Sequence, residues 1–65
     1  MPKIKIINNN PESLHYQKVC GREPLIVYGF YCDHNNDVEY FKVWSSIYYE
    51  WISIPINLCE PYIEK

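Results

Sequence analysis

Three cysteines and two histidines are the residues of this 65-residue chain that are best suited to metal binding or catalysis. Cys20, Cys32, His34 and Cys59 make a Cys₃His set, which is a combination that can hold structural zinc. The spacing lacks the close Cys-x₂-Cys pair that such sites usually contain, and Cys32 and His34 would have to bind one ion across the end of a strand. We therefore expect reduced, partly buried cysteines and no metal, with the zinc set as the alternative.

The same residues offer little for catalysis. His15 and His34 are candidate bases, and Asp33 stands beside His34. Neighbouring residues on a strand point to opposite faces, so Asp33 is poorly placed to orient His34. A chain of this size also has little material for a concave, water-excluding pocket. With only Gly21 and Gly29, it has no glycine-rich phosphate loop. We expect no enzymatic activity and no cofactor.

Aromatic side chains dominate the composition and point to binding. Seven Tyr, two Trp and two Phe occur in the chain, and most fall between Tyr28 and Trp51. So small a domain cannot bury all of these rings, and a surface cluster of rings usually marks a contact site. The alternative is that the rings form a second small core.

Alternation along two predicted strands selects the candidate site. Phe41 and Val43 share one face of a strand, and Ile52 and Ile54 share one face of the next. If these aliphatic-rich faces point inward, the opposite faces point outward. The outward set, and hence the predicted partner-binding site, is Tyr40, Lys42, Trp44, Tyr49 and Trp51.

The elements that must position these residues are short strands. Alternation predicts a strand over residues 3–7, and the Asn- and Pro-rich stretch after it predicts a long loop up to Pro24. One helical turn capped by Ser13 is the only helix that we expect in that loop. Residues 25–32 form an apolar run typical of a strand, in which Gly29 indicates a bulge or bend.

A three-stranded meander and a short end complete the chain. The polar residues 33–37 predict a hairpin turn between this strand and a return strand over residues 38–44. Ser45 and Ser46 predict a second turn, before a strand over residues 48–54. We expect a 3₁₀ turn at residues 56–58 and a final strand over residues 59–63. The prediction is one all-β domain spanning residues 1–65, folded as a small, bent barrel of about five short strands.

This order of elements resembles the SH3-like small barrel found in stand-alone bacterial and phage proteins. Trp51-Ile52 followed by Pro55-Ile56-Asn57-Leu58-Cys59 looks like the end of an SH3 domain. Val19-Cys20-Gly21-Arg22 leading into Leu25-Ile26-Val27 looks like the exit of its first loop. The Ala-Leu-Tyr-Asp-Tyr signature of peptide-binding SH3 domains is missing, and Leu58 stands where their binding Tyr would follow the Asn. The resemblance therefore implies the barrel fold, whereas these two departures argue against recognition of proline-rich peptides.

Charge favours a protein as the partner. The net charge is −2, the pI is about 5.5, and the six basic residues are scattered. Nucleic-acid binding proteins usually show a basic patch and a high pI. No apolar run approaches the length of a membrane span, and the start does not resemble a signal peptide, so we expect a cytoplasmic protein. The Asn- and Ile-rich composition suits an AT-rich genome and a phage or mobile element.

Three functions follow from these observations. The first is a non-enzymatic protein-interaction module, an adaptor or inhibitor of a larger partner, that binds through an exposed aromatic face. The second is single-stranded nucleic-acid binding by base stacking, for which Lys42 between Tyr40 and Trp44 is the favourable feature. The third is a homo-oligomer that buries the rings against a second copy.

Overall fold

The computed structural model of this protein describes residues 2–8 and 10–64. Over these residues the chain is mostly β. The elements, in chain order, are β1 (Lys3–Ile6), α1 (Pro11–Cys20), β2 (Leu25–Ile26), β3 (Gly29–Asp33), β4 (Val38–Ser45), β5 (Glu50–Pro55), a 3₁₀ turn (Ile56–Leu58) and β6 (Cys59–Pro61). The mainly β class is confirmed, and so is the 3₁₀ turn before the last strand.

The strands found in residues 2–8 and 10–64 form two antiparallel sheets of three strands each. The first sheet has the order β2-β1-β6, and the second has the order β3-β4-β5. Across the described residues these sheets do not close into a barrel, so the prediction of one closed barrel is wrong. The reason is that the single strand predicted over residues 25–32 is divided, with β2 in one sheet and β3 in the other.

The chain changes sheets between Val27 and Tyr28. The Val27 amide donates to the Pro2 carbonyl, next to the first sheet, at 3.0 Å. The Tyr28 amide donates to the Lys42 carbonyl, in the second sheet, at 2.9 Å. The bend predicted at Gly29 is therefore present just before this residue.

Aliphatic side chains from both sheets fill the interior. The buried hydrophobic residues are Ile4, Ile6, Cys20, Leu25, Val43, Ile54 and Leu58. Every Tyr, Trp and Phe side chain of the chain is at least partly exposed. Since each ring carries about 150–250 Å² of surface, much of the apolar surface of this protein faces solvent.

A helix of ten residues replaces most of the predicted first loop, which corrects that prediction. Asn10 caps this helix, not Ser13, because Asn10 Oδ1 accepts a hydrogen bond from the Ser13 amide at 2.9 Å. Pro11 occupies the first turn, where its missing N–H costs nothing. The Asn and Pro that favour a loop are thus the residues that begin α1.

The face of α1 that packs on the core is partly polar, which conceals the helical period. Ser13, Tyr16, Gln17, Val19 and Cys20 are its buried or half-buried positions, and all of them except Val19 follow the spacing i, i+3, i+4, i+7. Two of the four positions with this spacing, Ser13 and Gln17, are polar. Gln17 also attaches the helix to β1, because its Nε2 donates to the Ile6 carbonyl at 3.5 Å.

The turn between β3 and β4 confirms the predicted hairpin. The Asp33 carboxylate accepts from the Asn35 amide at 3.0 Å and from Asn36 Nδ2 at 3.1 Å. These bonds fix the turn by its first residue, which is the usual role of Asp in such a position.

Ser45 fixes the second hairpin turn and connects it to the helix. This fully buried residue donates through Oγ to the Val19 carbonyl of α1. The same oxygen accepts the amides of residues 47 and 48 at 3.2 and 3.0 Å. Tyr49 has φ of 56° at the end of the turn, so β5 begins at Glu50 and the predicted start at residue 48 is wrong.

Candidate functional site

Two tryptophans on neighbouring strands lie side by side on the outer face of the second sheet, near the turn that joins the two strands. Trp44 of β4 lies opposite Trp51 of β5. Their ring centroids are 5.0 Å apart and the rings are inclined by 76°, an edge-to-face arrangement. Trp44 is 40% exposed and Trp51 50% exposed, whereas Val43, on the other face of β4, is fully buried. The predicted inward and outward faces of β4 are therefore correct at these positions.

The backbone pairing explains why the two indole rings meet. The Lys42 carbonyl accepts the Tyr28 amide, so the backbone groups of Lys42 point away from its β5 partner, Ser53. Hydrogen-bonded and non-hydrogen-bonded pairs alternate along antiparallel strands. Trp44 and Trp51 lie two residues further along and form a pair of the same, non-hydrogen-bonded kind. Side chains approach most closely in such pairs.

Two further side chains complete this arrangement. The Tyr28 ring lies 5.4 Å from the Trp51 ring, centroid to centroid, and is inclined by 73°. Lys42 Nζ lies 4.6 Å from the centroid of the Trp51 ring, within reach of a cation–π interaction. We call Tyr28, Lys42, Trp44 and Trp51 the aromatic cluster. Trp51 is its central member, since it contacts each of the other three.

The remaining predicted site residues lie outside the aromatic cluster. Tyr40 is on the same face of β4 but stacks on Tyr31, with centroids 5.1 Å apart and an interplanar angle of 21°. Tyr49 lies in the turn before β5 and is 76% exposed, and it makes no ring contact in the described part of the chain. Its predicted place on the strand beside Trp51 is therefore wrong. The left-handed backbone at this residue ends the turn.

Sequence reasoning missed Tyr28 and Tyr31, both of which are exposed. They fall within the apolar run that predicts a single strand, and their position relative to β4 depends on the register. That register pairs Gly29 with Lys42 and Tyr31 with Tyr40. A hairpin turn of four residues after Asp33 would have given the same register, so the turn length was the signal that could have found them.

Two hollows border the aromatic cluster. One of about 160 Å³ adjoins Tyr28 and Trp44 and also contacts Arg22 and Ile26. The other, of about 450 Å³, lies between α1 and β5 and reaches Trp51. The exposed rings are thus flanked by concave surface on both sides, which gives a partner places to insert side chains.

Among the residues that the structure describes, the four members of the candidate zinc set do not come together at one point. Cys20 and Cys59 belong to the core and its margin, where burial raises the pKa of each thiol from 9.0 to about 11. Cys32 is half-buried on β3, and His34 is exposed in the next turn. Within the described residues no three His, Cys, Asp or Glu side chains gather closely enough to hold a metal ion.

The Asp33 carboxylate contacts the turn rather than a histidine. Both of its oxygens accept hydrogen bonds from the two asparagines that follow His34. His15 lies on α1, where its ring meets that of Tyr16 edge to face at 5.3 Å. These contacts agree with structural roles for Asp33 and His15 in the turn and on the helix.

Comparisons with known proteins add no relative. Neither a scan of family models nor searches of curated proteins and solved structures gave a match to this chain. The SH3-like class of the fold thus stays a prediction. In the described part of the chain, no helix has the length and apolar character required to cross a membrane.

Proposed function

We propose that this chain is a non-enzymatic protein-interaction module that binds a larger protein through the aromatic cluster. The observation that supports this most is the exposure of Trp44 and Trp51, at 40% and 50%, as a cross-strand pair within two regularly paired strands, near the turn that joins them. Large apolar rings in rigid strands can enter an interface with little loss of side-chain entropy, and Trp and Tyr are the most common hot-spot residues. An SH3-like fold, an adaptor or inhibitor role, and a phage or mobile-element origin belong to the same proposal.

The chemistry of the cluster suits a protein surface. Its indole N–H and phenol O–H groups can donate at the rim of an interface while the rings bury apolar area. Lys42 is its one charged member, and the net charge of the chain is −2. A partner that covers the cluster would therefore offer an apolar centre with acceptor groups around it.

Single-stranded nucleic-acid binding is the second candidate, and the position of Lys42 favours it. A cation beside an exposed ring is the combination that contacts a phosphate while a base stacks. The acidic net charge opposes this function, because most of the affinity would come from neutralised phosphates. A titration of labelled oligonucleotides at low salt, followed by fluorescence anisotropy, tests it. A flat titration dismisses this candidate.

Affinity capture from a lysate of the source cell, or of its host, tests the leading proposal. The bait is the intact protein, and the control is the Trp44→Ala/Trp51→Ala variant, checked for folding by circular dichroism. We expect one protein to be captured in stoichiometric amount by the native chain and lost with the variant. Equal capture by a folded variant would refute the aromatic cluster as the site. If only self-association is seen in sedimentation, the rings serve a homo-oligomer.

A further inference from the structure

Strand β5 is an open edge of the second sheet. Among the described residues, the sheet order β3-β4-β5 leaves one side of β5 without a neighbouring strand. Since Ser53 and Trp51 occupy non-hydrogen-bonded pairs with β4, their N–H and C=O groups point outward from the sheet. Across the described residues, no hydrogen bond to these four groups is found. They form a row of backbone donors and acceptors that a further strand could pair with.

A groove follows this edge. The hollow of about 450 Å³ is lined on one side by His15, Tyr16 and Val19 of α1 and on the other by Tyr48 and four consecutive residues of β5, Glu50 to Ser53. Its position between a helix and an edge strand distinguishes β5 from β3, the opposite edge of the sheet. An extended chain placed there would meet backbone groups on one side and side chains of the helix on the other.

The residues of β5 itself give little protection against strand pairing, and the groove separates its edge from α1. Within a strand, such protection comes from lysines, prolines, bulges or a very short length. Along β5, proline occurs only at the last residue, Pro55, and Glu50 is the one charged residue, at the start. The central residues Trp51, Ile52 and Ser53 pair regularly with β4 and show no bulge in their register.

We propose that the β5 edge binds an extended peptide segment of the partner by strand addition in the groove beside α1. This inference rests on the proposed function, because Trp51 belongs both to the aromatic cluster and to the edge. Backbone hydrogen bonds to Trp51 and Ser53 supply the pairing, and alternate side chains of the peptide supply the specificity.

The groove also sets the chemistry of the peptide. Glu50 and Ile52 are two residues apart and so share the face that points toward α1. Glu50 has no ion-pair partner among the described residues, where the two ion pairs join β1 to residues near the C terminus. The peptide should therefore carry a Lys or Arg opposite Glu50. Two positions away, it should carry an apolar side chain that packs on Ile52 and Tyr16.

A library of displayed random short peptides is selected for binding to the intact protein, and the enriched peptides serve as probes for this site. We expect the enriched sequences to share an apolar residue and a basic residue two positions apart. When the Glu50→Lys variant is the target of the same selection, the enriched peptides should carry an acidic residue where those selected on the native protein carry the basic one. Failure to enrich any sequence, or enrichment of proline-rich sequences unaffected by Glu50→Lys, would overturn the proposal.

The variants Ser53→Pro and Ser53→Ala test the backbone pairing with the selected peptides. Proline removes the outward N–H of residue 53 but takes no donor from the ladder with β4, and proline is tolerated on edge strands in this orientation. Alanine keeps the N–H and is the matched control. We expect Ser53→Pro to weaken binding by roughly tenfold or more and Ser53→Ala to leave it nearly unchanged. Equal affinities for the two variants would contradict strand addition.

Amide hydrogen exchange of the native protein is a second test of backbone pairing at the β5 edge, and it does not require that any variant folds. The amides of Trp51 and Ser53 should become protected when a selected peptide binds, since they acquire acceptors. Unchanged exchange at both amides in the saturated complex would overturn the proposal. So would a concentration-dependent dimer that Ser53→Pro dissociates, because a second copy would then occupy the edge.

The Trp44→Ala variant separates this inference from the proposed function. Trp44 lies on β4, away from the edge, so its loss should reduce capture of the partner protein while the selected peptides still bind. If capture depends on Trp44 but not on the N–H of residue 53, the aromatic cluster is the site and the strand-addition inference is wrong. If both substitutions leave capture unchanged, both the proposed function and the inference fail.

Discussion

The outer faces of the two sheets differ in what their cross-strand pairs contain. In the first sheet, Lys5 lies opposite Glu60, and their side chains form an ion pair at 3.1 Å. In the second sheet, Trp44 lies opposite Trp51, and their rings meet edge to face. Both pairs lie on the solvent side of strands whose other side faces the same core. A charged pair is usual on a sheet face that is exposed to solvent, whereas the aromatic pair leaves apolar surface exposed.

The contrast supports the proposal that the outer face of the second sheet is the binding face. A second ion pair, between Lys3 and Glu64 at 2.7 Å, continues the charged pattern of the first sheet. A second ring pair, Tyr31 on Tyr40, continues the aromatic pattern of the second. Exposed rings add aggregation risk without a matching gain in stability, so a folded protein that keeps several of them on one face is expected to use them for binding.

The largest expected effect tests whether the two sheets share one core. Ile54→Ala removes a fully buried side chain of β5 and should lower the free energy of unfolding by about 2–5 kcal/mol. Ile63→Ala is the matched control, because Ile63 is 79% exposed, and it should change stability by less than about 0.5 kcal/mol. Urea unfolding followed by Trp fluorescence measures both. Similar losses in the two variants would show that the sheets do not pack as described.

The next effect concerns alkaline pH and the buried thiols. Burial raises the pKa of Cys20 and of Cys59 from 9.0 to about 11, so the unfolded chain releases these protons at lower pH than the folded one. Well below pH 9 the two thiols are protonated in both states and do not lower the free energy of unfolding. This free energy falls as the pH rises toward 11, by roughly 1.4 kcal/mol per thiol at about pH 10. Burial also raises the pKa of Tyr16, which extends the loss to higher pH. Urea unfolding at several pH values measures this effect.

The variant Cys59→Ala supplies the control for the alkaline loss. Because one of the two thiols is removed, its unfolding free energy should fall less steeply with pH than that of the native chain, whatever its stability at neutral pH. An identical slope in both proteins would mean that Cys59 ionises as easily in the folded state as in the unfolded one.

A smaller effect measures the coupling between the two tryptophans. A double-mutant cycle with Trp44→Ala and Trp51→Ala should give a coupling energy of about 0.5–1.5 kcal/mol for the edge-to-face pair. Thermal unfolding of the four proteins provides the values. A coupling energy near zero would show that the rings do not contact each other in solution, and that the aromatic cluster is not preorganised.

The smallest effect belongs to the charged pair of the first sheet. The corresponding cycle with Lys5→Ala and Glu60→Ala should give at most about 0.5–1 kcal/mol, as expected for an exposed ion pair. Added salt should reduce this value, whereas the coupling of the tryptophans should be insensitive to salt. A charged pair coupled more strongly than the aromatic pair would reverse the comparison between the two faces.

The parts of the fold with local signals followed from the sequence, and the parts that depend on tertiary contacts did not. The polar residues 33–37 predicted the first hairpin, and the short segment between Pro55 and the last strand predicted the 3₁₀ turn. Helix α1 was missed because its core-facing stripe includes Ser13 and Gln17, whose polar groups find partners in the folded chain. Gly29 signalled a bend in the long strand, but nothing local indicated that its two halves join different sheets, since that depends on tertiary pairing.

The candidate site was predictable in part for the same reason. Alternation was sufficient to place Lys42 and Trp44 on the outer face, and Trp51 beside them. Tyr49 was misplaced, because a left-handed residue at the end of a turn looks like the start of a strand when only residue types are considered. Tyr28 was missed, because its contact with Trp51 depends on the hydrogen bond from its own amide, just before β3, to the Lys42 carbonyl in β4.

The most direct test compares the two faces in one binding measurement. The partner recovered by affinity capture is titrated with the native chain, with Trp44→Ala/Trp51→Ala and with Lys5→Ala/Glu60→Ala, each confirmed as folded. Removal of the aromatic pair should lower the affinity by roughly 100-fold or more, and removal of the charged pair should leave it within a factor of about two. Equal losses, or a larger loss from the charged pair, would contradict the assignment of binding to the aromatic face of the second sheet.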